Sequence, residues 1–111
     1  MTLEEFIEYL RLEFTREMKF TLNPQRQKEF SKAYREIESL LSDCIDAKMW
    51  CEIGSLINGY AAIIIECDSI VVREIQTFCD AIKTADNFEI YSIADDRVRM
   101  DIMFHGIRTR A

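Results

Sequence analysis

The sequence is poor in glycine, proline and histidine, which number three, one and one among its 111 residues. Such scarcity excludes collagen-like and linker-like chains. The glycines are isolated, so they cannot form a Gly-rich phosphate loop, and one histidine cannot supply the paired ligands typical of metal sites. The four cysteines include no CxxC pair, and we expect reduced thiols that act as small apolar side chains. The sequence therefore predicts no metal, no cofactor and no enzymatic activity.

Long apolar runs are missing as well. The longest stretch without a charge covers the 13 residues 53–65, whereas a membrane-spanning helix needs about 20 apolar residues. The N-terminal segment MTLEEFIEYL is acidic, where a secretory signal has a basic start and an apolar run. We therefore expect a cytoplasmic protein that has no contact with a membrane.

Basic side chains are in deficit, with 14 Lys and Arg against 20 Asp and Glu and a net charge of −6. The deficit is concentrated in residues 36–96, which hold 13 acidic and three basic side chains. A nucleic-acid-binding chain normally carries a basic excess, because phosphate neutralisation dominates its affinity. The charge balance therefore argues against nucleic acid as the partner.

Two amphipathic helices are predicted in the first half of the chain. Thr2 and Glu5 match a capping box, in which each side chain satisfies a free backbone amide at the helix start. Apolar side chains then recur at steps of three and four residues up to Met18. Asn23 followed by Pro24 predicts the start of a second helix, whose apolar face runs from Phe30 to residue 45.

The centre of the chain predicts two further helices. Apolar residues from Trp50 to Ile82 keep nearly one helical phase, but Asp68 would place an unpaired carboxylate in the middle of the apolar face. We therefore expect a break at residues 68–69 between a third and a fourth helix. The third helix is apolar on nearly all sides between Glu52 and Glu66, which is typical of a central or partner-covered helix. A short buried strand at residues 60–65 is the competing interpretation.

The last quarter of the chain alternates with the period of a strand. Two such runs flank Ala94, Asp95 and Asp96, which favour a turn, and predict a β-hairpin at about residues 88–104. The predicted architecture is α+β: a bundle of three to four helices followed by this C-terminal hairpin. Residues 1–105 form a single domain in this prediction, and residues 106–111 form a basic tail.

The apolar third helix and the two partly apolar hairpin faces indicate an exposed apolar surface that binds another protein. We expect a non-enzymatic interaction or regulatory protein, with a homodimer as its simplest form. Aromatic side chains and Arg dominate the energetics of such interfaces. The expected protein-binding residues are Tyr91, Ile93, Arg97, Arg99 and Met103 of the hairpin, with Ile63 and Ile65 of the third helix.

Two other functions are consistent with the sequence. The acidic block of residues 36–96 could imitate the phosphates of nucleic acid and bind a nucleic-acid-binding protein or enzyme. Small phage inhibitors of restriction and CRISPR enzymes often have such acidic surfaces, which is an analogy of class and not of sequence. The expected contacts of the acidic block are Glu66, Glu74, Asp80 and Asp86. A small DNA- or RNA-binding regulator would instead use the basic stripe formed by Lys28, Lys32 and Arg35.

Overall fold

The fold combines helices and antiparallel strands along the whole chain. The computed structural model describes residues 1–16, 19–42, 44, 46–54, 59–68 and 75–110. Its helices are α1 (Leu3–Phe14), α2 (Pro24–Leu41) and α3 (Ile75–Ala81). Its strands are β1 (Phe20–Leu22), β2 (Lys48–Gly54), β3 (Tyr60–Cys67), β4 (Asn87–Ala94), β5 (Arg97–His105) and β6 (Arg108–Arg110).

Both predicted helix starts are confirmed. The Thr2 hydroxyl accepts a hydrogen bond from the Glu5 amide at 3.1 Å, and the Glu5 carboxylate accepts one from the Thr2 amide at 3.2 Å. The Asn23 side chain accepts from the amides of Gln25 and Arg26 at the start of α2. These bonds satisfy amides that have no partner inside the helix, which fixes where each helix begins.

A four-stranded antiparallel sheet in the order β2-β3-β5-β4 forms the second half of the fold. Strand β3 lies at its centre, with Ile63 opposite Cys51 on one side and Ile102 on the other. The helices pack on one face of this sheet, where they bury the alternate β3 residues together with their β5 neighbours. The main buried contributors are Phe6, Leu10, Phe30, Ile37, Ile63, Ile65, Met100, Ile102 and Phe104.

The predicted bundle of three to four helices followed by a single hairpin is therefore wrong. Residues 48–54 and 60–67 are the strands β2 and β3, and they are not a third helix. Strand β3 is buried on both faces over residues 61–65, so its residues are apolar in succession and show no period of two. The strand interpretation of residues 60–65 is the correct one. Of the predicted fourth helix, α3 accounts for residues 75–81, and residues 69–74 lie outside the described part of the chain.

The strands at residues 88–104 do pair as predicted, with Phe88 opposite Ile102 and Ile90 opposite Met100. They form half of the larger sheet, however, because β5 also pairs with β3. Residues 107–110 do not form the expected tail. Ile107 is buried in the core, and β6 pairs with β1 in a second, two-stranded sheet.

Candidate interaction surface

The sheet has a second face, whose side chains do not belong to the main hydrophobic core. Its side chains come from residues that alternate with the core positions, and cross-strand neighbours form rows across it. One such row contains Tyr91, Arg99, Glu66 and Lys48. Charged and aromatic side chains lie on this face around Ala62, Ile64 and Met103, of which Ala62 and Ile64 are buried. We call this the open face of the sheet.

Arg99 organises the middle of the open face. Its guanidinium donates to Asp101 Oδ1 at 2.8 Å and lies 3.6 Å from Glu52 Oε2. It also sits 5.7 Å from the centre of the Trp50 ring and 5.8 Å from that of Tyr91, so it stacks between two aromatic side chains. The hydrogen bond with Asp101 raises the pKa of Arg99 above its ordinary value. This cluster links side chains of β2, β5 and β4 on this face, and β3 lies between β2 and β5.

Arg97, at the start of β5, is committed to a different contact. It donates to Asp68 Oδ1 at 2.7 Å and to the Asp46 carbonyl at 3.1 Å. These bonds hold the end of β3 and the start of β2 near the β4–β5 turn. The role of Arg97 in this structure is thus to join chain segments.

Strand β4 is an edge strand that is exposed along its whole length. All eight residues, Asn87–Ala94, have high solvent exposure, and no described element pairs with its outer side. The other edge, β2, carries Lys48 and Glu52 and is mostly half-buried. Charged side chains such as Lys are the usual protection of an edge against pairing with another chain, and Glu89 is the only charged residue of β4. The β4 edge is the less protected of the two.

Large apolar side chains flank β4 on both faces. Phe88, Ile90, Tyr91 and Ile93 each leave between 42% and 48% of their surface exposed. On the helix side, the Phe88 ring packs edge-on against Phe78 of α3 at 6.1 Å. A bulge between Ser92 and Ala94 places Ile93 outside the regular pairing. We define the β4 surface as these four exposed apolar side chains together with the free backbone edge of the strand.

The structure brings together part of the residue set expected from the sequence. Tyr91, Arg99 and Met103 lie on the open face, and Ile93 lies at the bulge beside them. Ile63 and Ile65 do not belong to this surface, because both are 0% exposed in the core of the chain. The sequence reasoning missed Phe88, Ile90 and Trp50 as surface residues. Alternation places Phe88 and Ile90 on the same face as Met100 and Ile102, but it cannot tell an exposed edge strand from a covered one.

The three described residues of the expected acidic set do not form a continuous surface. Glu66 lies on the open face, whereas Asp80 lies on α3 on the helix side, where it accepts from Gln76. Asp86 binds the guanidinium of Arg26 and accepts from the His105 amide at 2.7 Å, so its charge is engaged within the chain. Glu74 lies outside the described residues.

No group of three or more His, Cys, Asp or Glu side chains in the described ranges is arranged to hold a metal ion. The four thiols are free, and burial raises the pKa of Cys51 to about 12. A thiol with so high a pKa has almost no thiolate near neutral pH, so Cys51 lacks the ionised form that attacks substrates.

The raised pKa of Cys51 predicts a loss of stability in alkali. The thiol ionises near pH 9 when the chain is unfolded and near pH 12 when it is folded. The unfolded state therefore releases its proton first, and the free energy of unfolding falls by up to about 1.4 kcal/mol for each pH unit between pH 9 and pH 12. Urea unfolding at pH 8.5, 9.5 and 10.5 measures this slope. Cys51→Val should flatten it, and an unchanged slope in that variant would contradict the assignment.

No described helix has the length and apolar character needed to cross a bilayer. Comparison of the chain with family models, curated proteins and solved structures gives no match.

Proposed function

We propose that this chain is a non-enzymatic protein–protein interaction protein that binds its partner through the β4 surface. A second copy of the chain is the simplest such partner. The observation that carries the proposal is the exposure of β4 over all eight residues, with four large apolar side chains on its two faces. A long, exposed, apolar edge strand exposes unpaired backbone groups and apolar area, both of which favour pairing with another strand.

The contacts around β4 support a preformed binding surface. Phe78 holds Phe88 from the helix side, and Arg99 holds Tyr91 from the open face. Side chains fixed in this way lose little conformational freedom when a partner binds, which lowers the entropic cost of association. The interior of the interface would be apolar, with the Arg99 cluster at its rim.

The test compares two substitutions that add the same charge. Ile90→Lys places an ammonium group in the β4 surface, and we expect at least a tenfold loss of partner binding, because a charge on an edge strand opposes pairing. Ser39→Lys, at an exposed position of α2, is the matched control. Each tagged variant is used for affinity purification from native lysate at low and high salt, and retained proteins are quantified by mass spectrometry.

The outcomes separate the functions. Partners retained by the wild-type chain and Ser39→Lys at both salt concentrations, but lost by Ile90→Lys, support binding through the β4 surface. Retention of the same partners by Ile90→Lys contradicts it. Partners that high salt releases, and that Ile90→Lys binds as well as the wild-type chain does, would instead support the acidic nucleic-acid-mimic function. Binding that depends on charge weakens as ionic strength rises.

A further inference from the structure

We infer that β4 pairs antiparallel with β4 of a second copy, across a two-fold axis at Ile90, to form one continuous eight-stranded sheet. The inference rests on the proposed function and names both the partner and the register. The strand order across the dimer is β2-β3-β5-β4 in one copy, followed by β4-β5-β3-β2 in the other. A two-fold interface of this kind is the commonest form of symmetric association.

Symmetry restricts the possible registers. A two-fold axis perpendicular to the sheet makes the two β4 strands antiparallel and keeps the helices of both copies on one side. In an antiparallel pair, two residues that lie opposite each other have side chains on the same side of the sheet. An axis midway between two residues would pair side chains from opposite sides, so the axis must pass between one residue and its own copy. An axis at Glu89 would place two carboxylates opposite each other, which is destabilising. An axis at Tyr91 would place Glu89 opposite Ile93, the bulge residue, inside the paired segment.

An axis at Ile90 avoids both problems. It pairs Ile90 with its own copy, Phe88 with the partner's Ser92, and Glu89 with the partner's Tyr91. Only the regular part of the strand, before the bulge, is then used at the centre of the pairing. The two Ile90 side chains meet on the helix side, where both are now half exposed.

Charges along the open face agree with this register. Within one copy, Glu89 lies opposite Asp101, so two acidic residues are neighbours. In the dimer the other side of Glu89 would face the partner's Tyr91, and the partner's Arg99 is next in the same row. The two acidic side chains of one copy thus lie in the same row as Arg99 of the other copy. The two-fold symmetry produces this row twice in the dimer.

The ends of the strands are complementary as well. The turn residues Asp95 and Asp96 follow β4 directly. In the proposed register this turn extends past the partner's Asp86, toward the partner's Lys83, which is exposed. The carboxylate of Asp86 is already bound to Arg26, so it adds little repulsion. The acidic turn would therefore approach a single lysine at each end of the interface.

The area that β4 offers indicates a dimer of moderate affinity. Four side chains with 42–48% of their surface exposed provide roughly 80–100 Å² each, taking about 200 Å² for a free side chain. Two copies then contribute at most on the order of 700–800 Å² of apolar area in addition to the strand backbones, which is less than the roughly 1,200 Å² of stable interfaces and typical of weak, transient ones. We therefore expect micromolar dissociation constants, and measurements should extend to about 300 µM chain.

Disulfide trapping tests partner and register together. Ile90→Cys is made in a Cys79→Ser background, which removes the exposed native thiol. Opposed Cα atoms in an antiparallel pair lie about 4.5–5.5 Å apart, within disulfide range. Ser92→Cys in the same background is the control, because its two copies would lie about 13 Å apart. Diamide oxidation followed by non-reducing electrophoresis measures the covalent dimer.

We expect Ile90→Cys to give a covalent dimer and Ser92→Cys alone to give none beyond the Cys79→Ser background. An equal mixture of the Phe88→Cys and Ser92→Cys variants should give a disulfide-linked dimer that contains one chain of each variant. Light scattering on the untreated wild-type chain should approach twice 13.1 kDa as the concentration rises. A dimer trapped by Ser92→Cys and not by Ile90→Cys would overturn the register.

A wild-type mass of one chain at 300 µM, with no trapped species, would overturn self-pairing. That result would leave the proposed function intact if Ile90→Lys still abolishes capture of another protein. The proposed function is contradicted only by the separate finding that Ile90→Lys retains every partner of the wild-type chain. The two failures are therefore distinguishable.

Discussion

Replacing Arg26 by Met is expected to lower the free energy of unfolding by about 2–4 kcal/mol. Its guanidinium donates to the carbonyl of His105 at 2.9 Å and to that of Thr84 at 3.0 Å, and it pairs with the carboxylates of Glu29 and Asp86. One side chain thus joins the start of α2, the connection between α3 and β4, and the end of β5. Met retains the apolar stem but has no donor, so these acceptors lose their partner.

The cost is large because Arg26 is only 16% exposed. The bonds to the His105 and Thr84 carbonyl groups are part-buried, so water replaces the lost donor only in part. The Glu29 carboxylate, which is 21% exposed, also loses its counter-charge. The guanidinium also lies 5.4 Å from the centre of the Phe104 ring, and the substitution removes this cation–π contact.

Arg35→Met is the matched control for Arg26→Met. Arg35 lies on the same helix and pairs with Glu4 of α1, but the two side chains are 57% and 68% exposed. Exposed pairs of this kind contribute less than about 1 kcal/mol. Chemical unfolding of both variants at neutral pH measures the difference. Equal losses in the two variants would contradict the role assigned to Arg26.

The helical half of the fold could be predicted because its signals are local. The capping residues Thr2 and Asn23 lie within three residues of the amides that they satisfy. The break at Asp68 was also predictable from the cost of burying a charge: β3 ends at Cys67, and Asp68 lies at the surface bound to Arg97. The charge argument thus locates the end of this element correctly, although the apolar pattern predicts a helix where the structure has the strand β3.

The sheet could not be predicted in the same way, because its order depends on distant pairing. The partner of β3 on one side is β5, which begins 30 residues beyond the end of β3 in the chain, and Cys67 pairs there with Val98. Only this pairing makes β3 a central strand and leaves β4 at the edge. Alternation in β4 and β5 did predict the shared face of Tyr91 and Arg99, but the exposure of Phe88 and Ile90 follows from the strand order alone.

Ile63 provides the sharpest test of this strand order. In the helical interpretation it lies off the main apolar stripe and is available to a partner, whereas in the sheet it is 0% exposed between Cys51 and Ile102. We expect Ile63→Ala to lower the free energy of unfolding by about 2–5 kcal/mol, because it removes buried methyl groups and leaves a cavity in the core.

Ile90→Ala is the control for Ile63→Ala, since it makes the same chemical change on the exposed edge strand β4. We expect it to cost less than about 1 kcal/mol in the isolated chain, because its side chain is 48% exposed and little burial is lost. Both variants should be unfolded with denaturant below 1 µM chain, roughly the concentration at which a micromolar dimer dissociates. A loss for Ile63→Ala no greater than that for Ile90→Ala would contradict the central position of β3. With β3 displaced from the centre, β4 would no longer be placed at the edge, and the surface proposed for the partner would lose its structural basis.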